Sequence, residues 1–153
     1  MLIRIADETD TEAIKHLLDE QNVFHVELLP GFFKASATEE SRIAAVIDGP
    51  DATLLVAEED GEIRGLLEIH VTRTKELPIL VQKTYGYIQE LIVSDGYRRR
   101  GTGSELLAVA RDWARERGAQ SLRASVVPCN EHAQNFYAKQ GFSDIMVSVE
   151  AEV

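Results

Sequence analysis

The chain has 153 residues, 44% hydrophobic and 27% charged, the balance of one soluble globular domain with a sizeable core. A net charge of −10 argues against a broad nucleic-acid-binding face, and no apolar run approaches the roughly 20 residues a membrane helix needs. The single cysteine, Cys129, excludes an intrachain disulfide, and with an N-terminus lacking a basic-then-apolar signal pattern it points to a reducing, cytoplasmic location.

Residues 2–6, "LIRIA", suit a short strand. Residues 11–21 place Ala13, Ile14, Leu17 and Leu18 on one helical face, and the segment 22–34 follows as a connection. A second helix is expected over 39–48, with Thr38 as N-cap and Gly49-Pro50 as its stop. Residues 53–59 and 63–73 flank Asp60-Gly61, a strong hairpin turn signal. Residues 85–93, "YGYIQELIV", read as a strand. Residues 104–117 carry an apolar stripe from Leu106 to Ala114 and end at Gly118, a helix followed by a C′ glycine. Residues 121–127 alternate as a strand, 130–140 form a helix capped by Asn130, and 142–153 alternate as a closing strand. No repeat, low-complexity tract or Pro/Gly/Ser linker interrupts this order, so residues 1–153 are expected to form one domain with a mixed α/β sheet. The helical crossover from 93 to 121 is expected to join parallel neighbours.

Charge is unevenly spread. Residues 1–62 hold 4 basic and 15 acidic side chains, a net of −11, whereas residues 98–123 hold 7 arginines and 3 acids, a net of +4. The positive half begins at "RRRGTG", where a strand meets a helix. A helix start leaves backbone N–H groups unpaired at the positive end of the dipole, and glycines let an anion approach them. Arg98, Arg99 and Arg100 can add charge-assisted hydrogen bonds. A plain strand-to-helix turn with exposed arginines is the alternative. A phosphate-binding P-loop would need a lysine after the glycines. A dinucleotide fingerprint would need a third glycine where Leu106 stands. Nucleotide binding therefore fits poorly.

Arg98-Arg99-Arg100-Gly101-Thr102-Gly103 matches the [QR]-x-x-G-x-[GA] signature of the GNAT superfamily of N-acetyltransferases. Asn130, seven residues before Tyr137 in "FY", with Gly141-Phe142 beyond, matches the companion signature. The resemblance is specific over about residues 85–142. It implies a central, mostly antiparallel sheet of six to seven strands, with a parallel central pair splayed at the cofactor site and about four helices on its faces. It implies acetyl-coenzyme A (acetyl-CoA) as acetyl donor, with the pyrophosphate on the amides of Arg98, Arg99, Arg100, Gly101, Thr102 and Gly103. The pantetheine arm would pair with the backbone of Leu91, Ile92 and Val93, and Asn130 and Tyr137 would complete the cofactor site. Unpaired strand amides in a V-shaped gap suit an amide-bearing arm.

Glu90 is the candidate base. A strand position among apolar neighbours, with Ile88 and Ile92 expected on its own face, can raise its pKa, and many GNAT enzymes use a glutamate on this strand. A charged residue at a sheet edge is the alternative. A second glutamate position known from a subgroup of the family is occupied here by Ser125, which shifts weight onto Glu90 or onto water. Tyr137 is the candidate acid for the leaving thiolate; a core aromatic beside Phe136 is its alternative. Asn130 can cap its helix and still offer its amide N–H₂ to the cofactor. Cys129 lacks a helpful His or acid neighbour, and the four histidines show no metal-ligand spacing, so neither an acyl-enzyme nor a metal is expected. His25 lies in a Phe-rich segment, 22–34, that either walls the acceptor site or is pinned by its own phenylalanines. The reading is a cytoplasmic N-acetyltransferase acting on a primary amine, small or peptidic, with a cationic acceptor suggested by the acidic first half. No nucleic acid or membrane is expected as a partner, and a homodimer is compatible. A non-catalytic acyl-coenzyme A sensor or interaction domain is the competing class.

Overall fold

The computed structural model describes residues 1–153. β1 (Leu2–Ile5), β2 (Ala52–Glu59), β3 (Glu62–Arg73), β4 (Thr84–Val93) and β5 (Ser121–Ala124) lie side by side in chain order. The first four are antiparallel neighbours, and β4 and β5 run parallel. The Asp60-Gly61 turn explains the hairpin: both residues have positive φ (55° and 79°), the geometry of a two-residue turn whose twist matches its strands.

Four helices cover the faces: α1 (Thr11–Leu28), α2 (Glu40–Ile47), α3 (Thr102–Glu116) and α4 (Glu131–Lys139). On one face Ile14, Leu17 and Leu18 of α1 and Ile43 and Val46 of α2 bury Leu54, Val56, Leu66 and Ile92. On the other, Leu106, Leu107, Ala110 and Trp113 of α3 bury Leu55, Leu67, Ile69 and Ile88. Each buried Leu or Ile contributes about 1.5–3 kcal/mol, so β4 is clamped between two apolar layers. The α3 stripe is the one read from the sequence, and Gly118 ends it with φ 82°.

Several expectations are corrected. The sheet has five strands, not six to seven, and its parallel pair lies at one edge rather than at the centre, because nothing pairs beyond β5. Residues 142–153 form no strand. From Ser143 onward the chain is exposed, Ile145 at 71% and Val149 at 92%. Alternation specifies which face a strand would bury, but a ladder also needs a partner edge. β5 stops at Ala124 rather than 127. The α1 helix continues through the segment 22–28, since no breaker occurs until Leu29, which precedes Pro30 and leaves the helical region (φ −145°). Thr38 does not cap α2. The N-cap is Glu39, without a side-chain bond, and the Thr38 N–H donates instead to Asp19 Oδ1 at 2.7 Å, tying the loop to α1.

Candidate active site

The site is organised by one irregularity in β4. Glu68 pairs with Glu90, but the next residue of β3, Ile69, pairs with Ile88, so Gln89 is an extra, bulged residue. Side-chain alternation restarts after it. Ile88 belongs to the α3 face, whereas Glu90 and Ile92 point to the α1/α2 face. The expectation that Ile88 shares a face with Glu90 is thereby corrected. A bulge also bends its strand. Pairing of β4 with β5 ends at Ile88–Ala124, so Gln89, Glu90, Leu91, Ile92 and Val93 have β3 on one side and no strand on the other. At the mouth of this gap the Tyr87 hydroxyl donates to Ser125 Oγ at 2.8 Å, tying β4 to the segment after β5.

The gap leads to the arginine–glycine turn. None of the backbone amides of residues 99–104 is hydrogen-bonded within the chain; the first amide of α3 to find a partner is that of Glu105, on the Gly101 carbonyl at 3.0 Å. Arg99 (φ 61°) and Gly101 (φ 91°) both take left-handed conformations, and for Arg99 this costs on the order of 1–2 kcal/mol. Six consecutive free amides at a helix N-terminus are the kind of arrangement that can receive an anion. The Arg98 amide is spent on the Asp95 carbonyl at 3.4 Å, so the free run begins one residue later than the expected 98–103, and Arg98 is instead engaged in building the turn. Its Nε donates to the Val93 carbonyl at 2.9 Å and its Nη1 lies 2.6 Å from Asp95, so its side chain braces the turn. Arg100 and Arg64 both lie over the Tyr97 ring, at 5.1 and 4.6 Å from its centre. Thr102 is buried beneath the turn. Gly103 is needed for close approach: a Cβ there would sit 3.3 Å from the Phe136 ring of α4. Asn130 caps α4, its Oδ1 accepting from the Ala133 N–H at 3.1 Å. Its amide nitrogen makes no hydrogen bond within the chain.

Glu90 is half-buried, and no side-chain or backbone hydrogen bond acts on its carboxyl. Burial, and next the negative charge of Glu68, push its pKa up to about 7, against a smaller opposing effect of Arg42. Tyr137 sits in an aromatic box, its ring 5.3 Å from Phe136 and 5.0 Å from Phe142, both edge-on. Burial pushes its phenol up to about 12, and the charge of Glu90 adds to this. Tyr137 packs with the α3-face core, while Glu90 points to the other face. They interact across the gap where β5 has ended.

On the Glu90 side lies a cavity of about 420 Å³ between α1, α2 and the loop joining them. His25 and Phe33 stack on its wall with ring centres 5.0 Å apart, and Phe32 packs edge-on against Phe33 while remaining exposed. Of the 22–34 segment, the ring packing of Phe32, Phe33 and His25 shows a loop held by its own aromatics, and His25 and Phe33 line this cavity. Burial lowers the pKa of His25. A second, outer cavity of about 660 Å³ lies between α2 and the strands, lined by Glu68, His70, Gln89 and Asp51. Arg42 lines both. No cluster of three or more His, Cys, Asp or Glu side chains is placed to hold a metal ion. Sequence reasoning missed Arg42, Glu68, His70 and Arg64. Only Glu68 carried a signal, a lone acid within the apolar run from Leu66 to Ile69.

The model of the Acetyltransferase (GNAT) family matches residues 12–142. An uncharacterized N-acetyltransferase, YhfO of Bacillus subtilis, is 27% identical, with 94% of this chain and 91% of that protein aligned. The aminoalkylphosphonate N-acetyltransferase of Salmonella typhimurium is 28% identical over 92% of this chain and 83% of its own length. Among solved structures, a mutant of the BH1408 protein from Bacillus halodurans superposes with a TM-score of 0.94 at 24% identity, covering 100% of this chain and 99% of that one. An aminoglycoside N-acetyltransferase, AAC(6')-Iy, in complex with CoA superposes with a TM-score of 0.78 at 14% identity, covering 99% and 98%.

Proposed function

Because the chain belongs to the acetyltransferase (GNAT) family and is an acetyltransferase enzyme, we propose that it transfers the acetyl group of acetyl-CoA directly to a primary amine of a small or peptidic acceptor. The observation that carries this reading is the gap in the sheet past Ile88, with six free amides at one end, a carboxyl of raised pKa on one face and a half-buried phenol on the other. The free amides of 99–104 fit a pyrophosphate, and the unpaired edge of Leu91, Ile92 and Val93 fits an amide-bearing arm. CoA in a solved relative supports the same donor.

Bound there, acetyl-CoA supplies an activated thioester. The residues divide the remaining work. An alkyl ammonium has a pKa near 10.4, so the acceptor must lose a proton before its nitrogen can attack. Glu90, poised near 7, accepts that proton directly or through water. A backbone N–H of Leu91, Ile92 or Val93 polarises the thioester carbonyl. As the C–N bond forms and the C–S bond breaks, Tyr137 donates to the leaving sulfur. A phenol near 12 stays protonated at neutral pH and is a poor free acid. Protonation of Glu90 removes one of the charges that hold the phenol up, so taking the amine's proton makes Tyr137 the better donor.

The 420 Å³ cavity beside Glu90 is the acceptor's place, and Glu39 and Glu90 at its wall favour an amine that arrives as a cation. The names of relatives, aminoalkylphosphonate and aminoglycoside N-acetyltransferases, support amine acceptors of modest size. No helix is long and apolar enough to cross a membrane, and a cytoplasmic enzyme remains our reading. The exposed apolar face of residues 145–149 supports a homodimer, which sedimentation at increasing concentration tests. Titration calorimetry with acetyl-CoA tests the core reading; no heat at millimolar ligand would contradict it. Binding without thiol release across a panel of amines would instead favour an acyl-coenzyme A sensor.

A further inference from the structure

We propose that Glu68, held by Arg42 and His70 across the strand from Glu90, is a positioning residue of the acetyl-transfer site: a fixed negative charge that decides how tightly Glu90 holds the acceptor's proton. The proposal rests on Glu90 being the base.

Glu68 is 1% exposed, on the sheet face that elsewhere carries Leu54, Val56, Leu66 and Ile92. The pairing register sets Leu54, Glu68 and Glu90 in one row across β2, β3 and β4. Like charges directly opposite on neighbouring strands destabilise a sheet, and an isolated buried carboxylate is costly. A chain selecting only for packing has no reason to set two glutamates there. Glu68 is nonetheless fully provided for. Its Oε2 accepts from Arg42 Nη2 at 2.8 Å and its Oε1 lies 2.6 Å from His70 Nε2. Both oxygens are engaged, so Glu68 is held in place beside Glu90 rather than free to act as a second base. Glu90 has no such partner: burial and the charges of Glu68 and Arg42 act on it, and no hydrogen bond does. The bulge at Gln89 makes the arrangement: without it Glu90 would face α3 and Glu68 would have no acidic neighbour.

Arg42 completes the device. One guanidinium nitrogen holds Glu68, while Nη1 is buried without a partner, and the side chain forms the partition between the acceptor cavity and the outer one. Glu68 favours a proton on Glu90 and Arg42 opposes it. The other titratable groups around Glu90 are His70 on β3, Glu39 at the start of α2, His25 on α1, Tyr137 on α4 and Tyr87 on β4. Glu68 stands opposite Glu90 on the neighbouring strand, and residues so opposed usually have Cβ atoms about 4.5–5.5 Å apart. At that range one unit charge moves a titration by on the order of one pH unit or more.

The test is the pH profile of kcat/KM for acetyl transfer, measured on wild-type enzyme and on the Glu68→Gln, Arg42→Gln, Arg42→Lys and Glu90→Gln variants. Glu68→Gln is expected to move the acid limb down by about one pH unit. Arg42→Gln is expected to move it up, and Arg42→Lys, which keeps the charge, to leave it near the wild-type position. A merely structural Glu68 would lower kcat and leave the limb where it was; that result overturns the proposal. If Glu68→Gln gives no folded protein, the Arg42 pair decides: an Arg42→Gln limb that does not rise overturns it equally. Failure of the underlying reading looks different, because the wild-type limb would then persist in Glu90→Gln.

Discussion

Replacing Glu90 by Gln is expected to slow the enzyme and stabilise the protein, and the second effect follows from the structure. Burial and Glu68 raise the Glu90 carboxyl from 4.5 to about 7. The sign follows from proton binding. Between these values the folded chain holds a proton that the unfolded chain has released, so stability falls as pH rises through that window. Below 4.5 both states are neutral and nothing is lost. Above about 7 the folded protein carries the full cost of a desolvated charge. The interval corresponds to roughly 3 kcal/mol, and residual solvent contact at a half-buried side chain brings it to about 1–3 kcal/mol. A Gln of the same shape does not carry this cost. For a chain of this size the gain is about 2–12 °C in Tm at pH 8.5, vanishing near pH 4. At pH 8.5 the same variant is expected to lose about 10²-fold or more in kcat. Thermal unfolding of both proteins at the two pH values, with thiol-release rates, is the assay. Equal melting at pH 8.5, or a difference that persists unchanged at pH 4, would refute the desolvation argument.

Tyr137→Phe keeps the aromatic box with Phe136 and Phe142 and removes only the donor, so kcat is expected to fall about 10²-fold or more while calorimetric affinity for acetyl-CoA stays within a few-fold. Gly86→Ala places a Cβ 2.7 Å from Leu122 Cδ2 and 3.1 Å from the Ala114 Cβ; denaturant titration is expected to show a loss of about 1–3 kcal/mol as β4, β5 and α3 are pushed apart. Asp10 accepts from Arg4 Nη1 and Nη2 at 2.7 and 2.8 Å and is 6% exposed, so Asp10→Asn is expected to cost about 2 kcal/mol at pH 7. The Arg4 hydrogen bonds lower the Asp10 pKa, so its contribution is present above the ordinary carboxylate value and lost as pH falls through the lowered one. The deficit of the variant should therefore shrink in acid melts.

What was legible in the sequence was local. Asp60-Gly61 names its own turn, the stripe from Leu106 to Ala114 names its own helix, and Asn130 and Gly118 mark helix ends by their conformational preferences. The arginine–glycine turn was legible because a helix start leaves amides free whatever surrounds it. Its details were not: Arg98 turns inward onto Val93 and Asp95, a choice between equivalent arginines that only packing makes. The bulge at Gln89 left no mark, since an uninterrupted strand pattern reads the same with or without an extra residue. That single unmarked residue decides which face Glu90 occupies. The Arg42–Glu68–His70 group joins α2 to β3 across 26 residues of sequence, and no spacing rule reaches that far. At the C-terminus the error ran the other way. Ile145, Val147 and Val149 alternate as a strand does, but alternation describes a face and supplies no neighbour to pair with.

The measurement closest to the central claim is the rate of free-thiol release from acetyl-CoA by the wild-type protein across a panel of primary amines, with calorimetric binding of acetyl-CoA measured alongside. Amine-dependent release is expected for at least one class of acceptor, rising with pH through about 7 as Glu90 ionises. Tight acetyl-CoA binding with no amine-dependent release, at any pH from 6 to about 9, would contradict it.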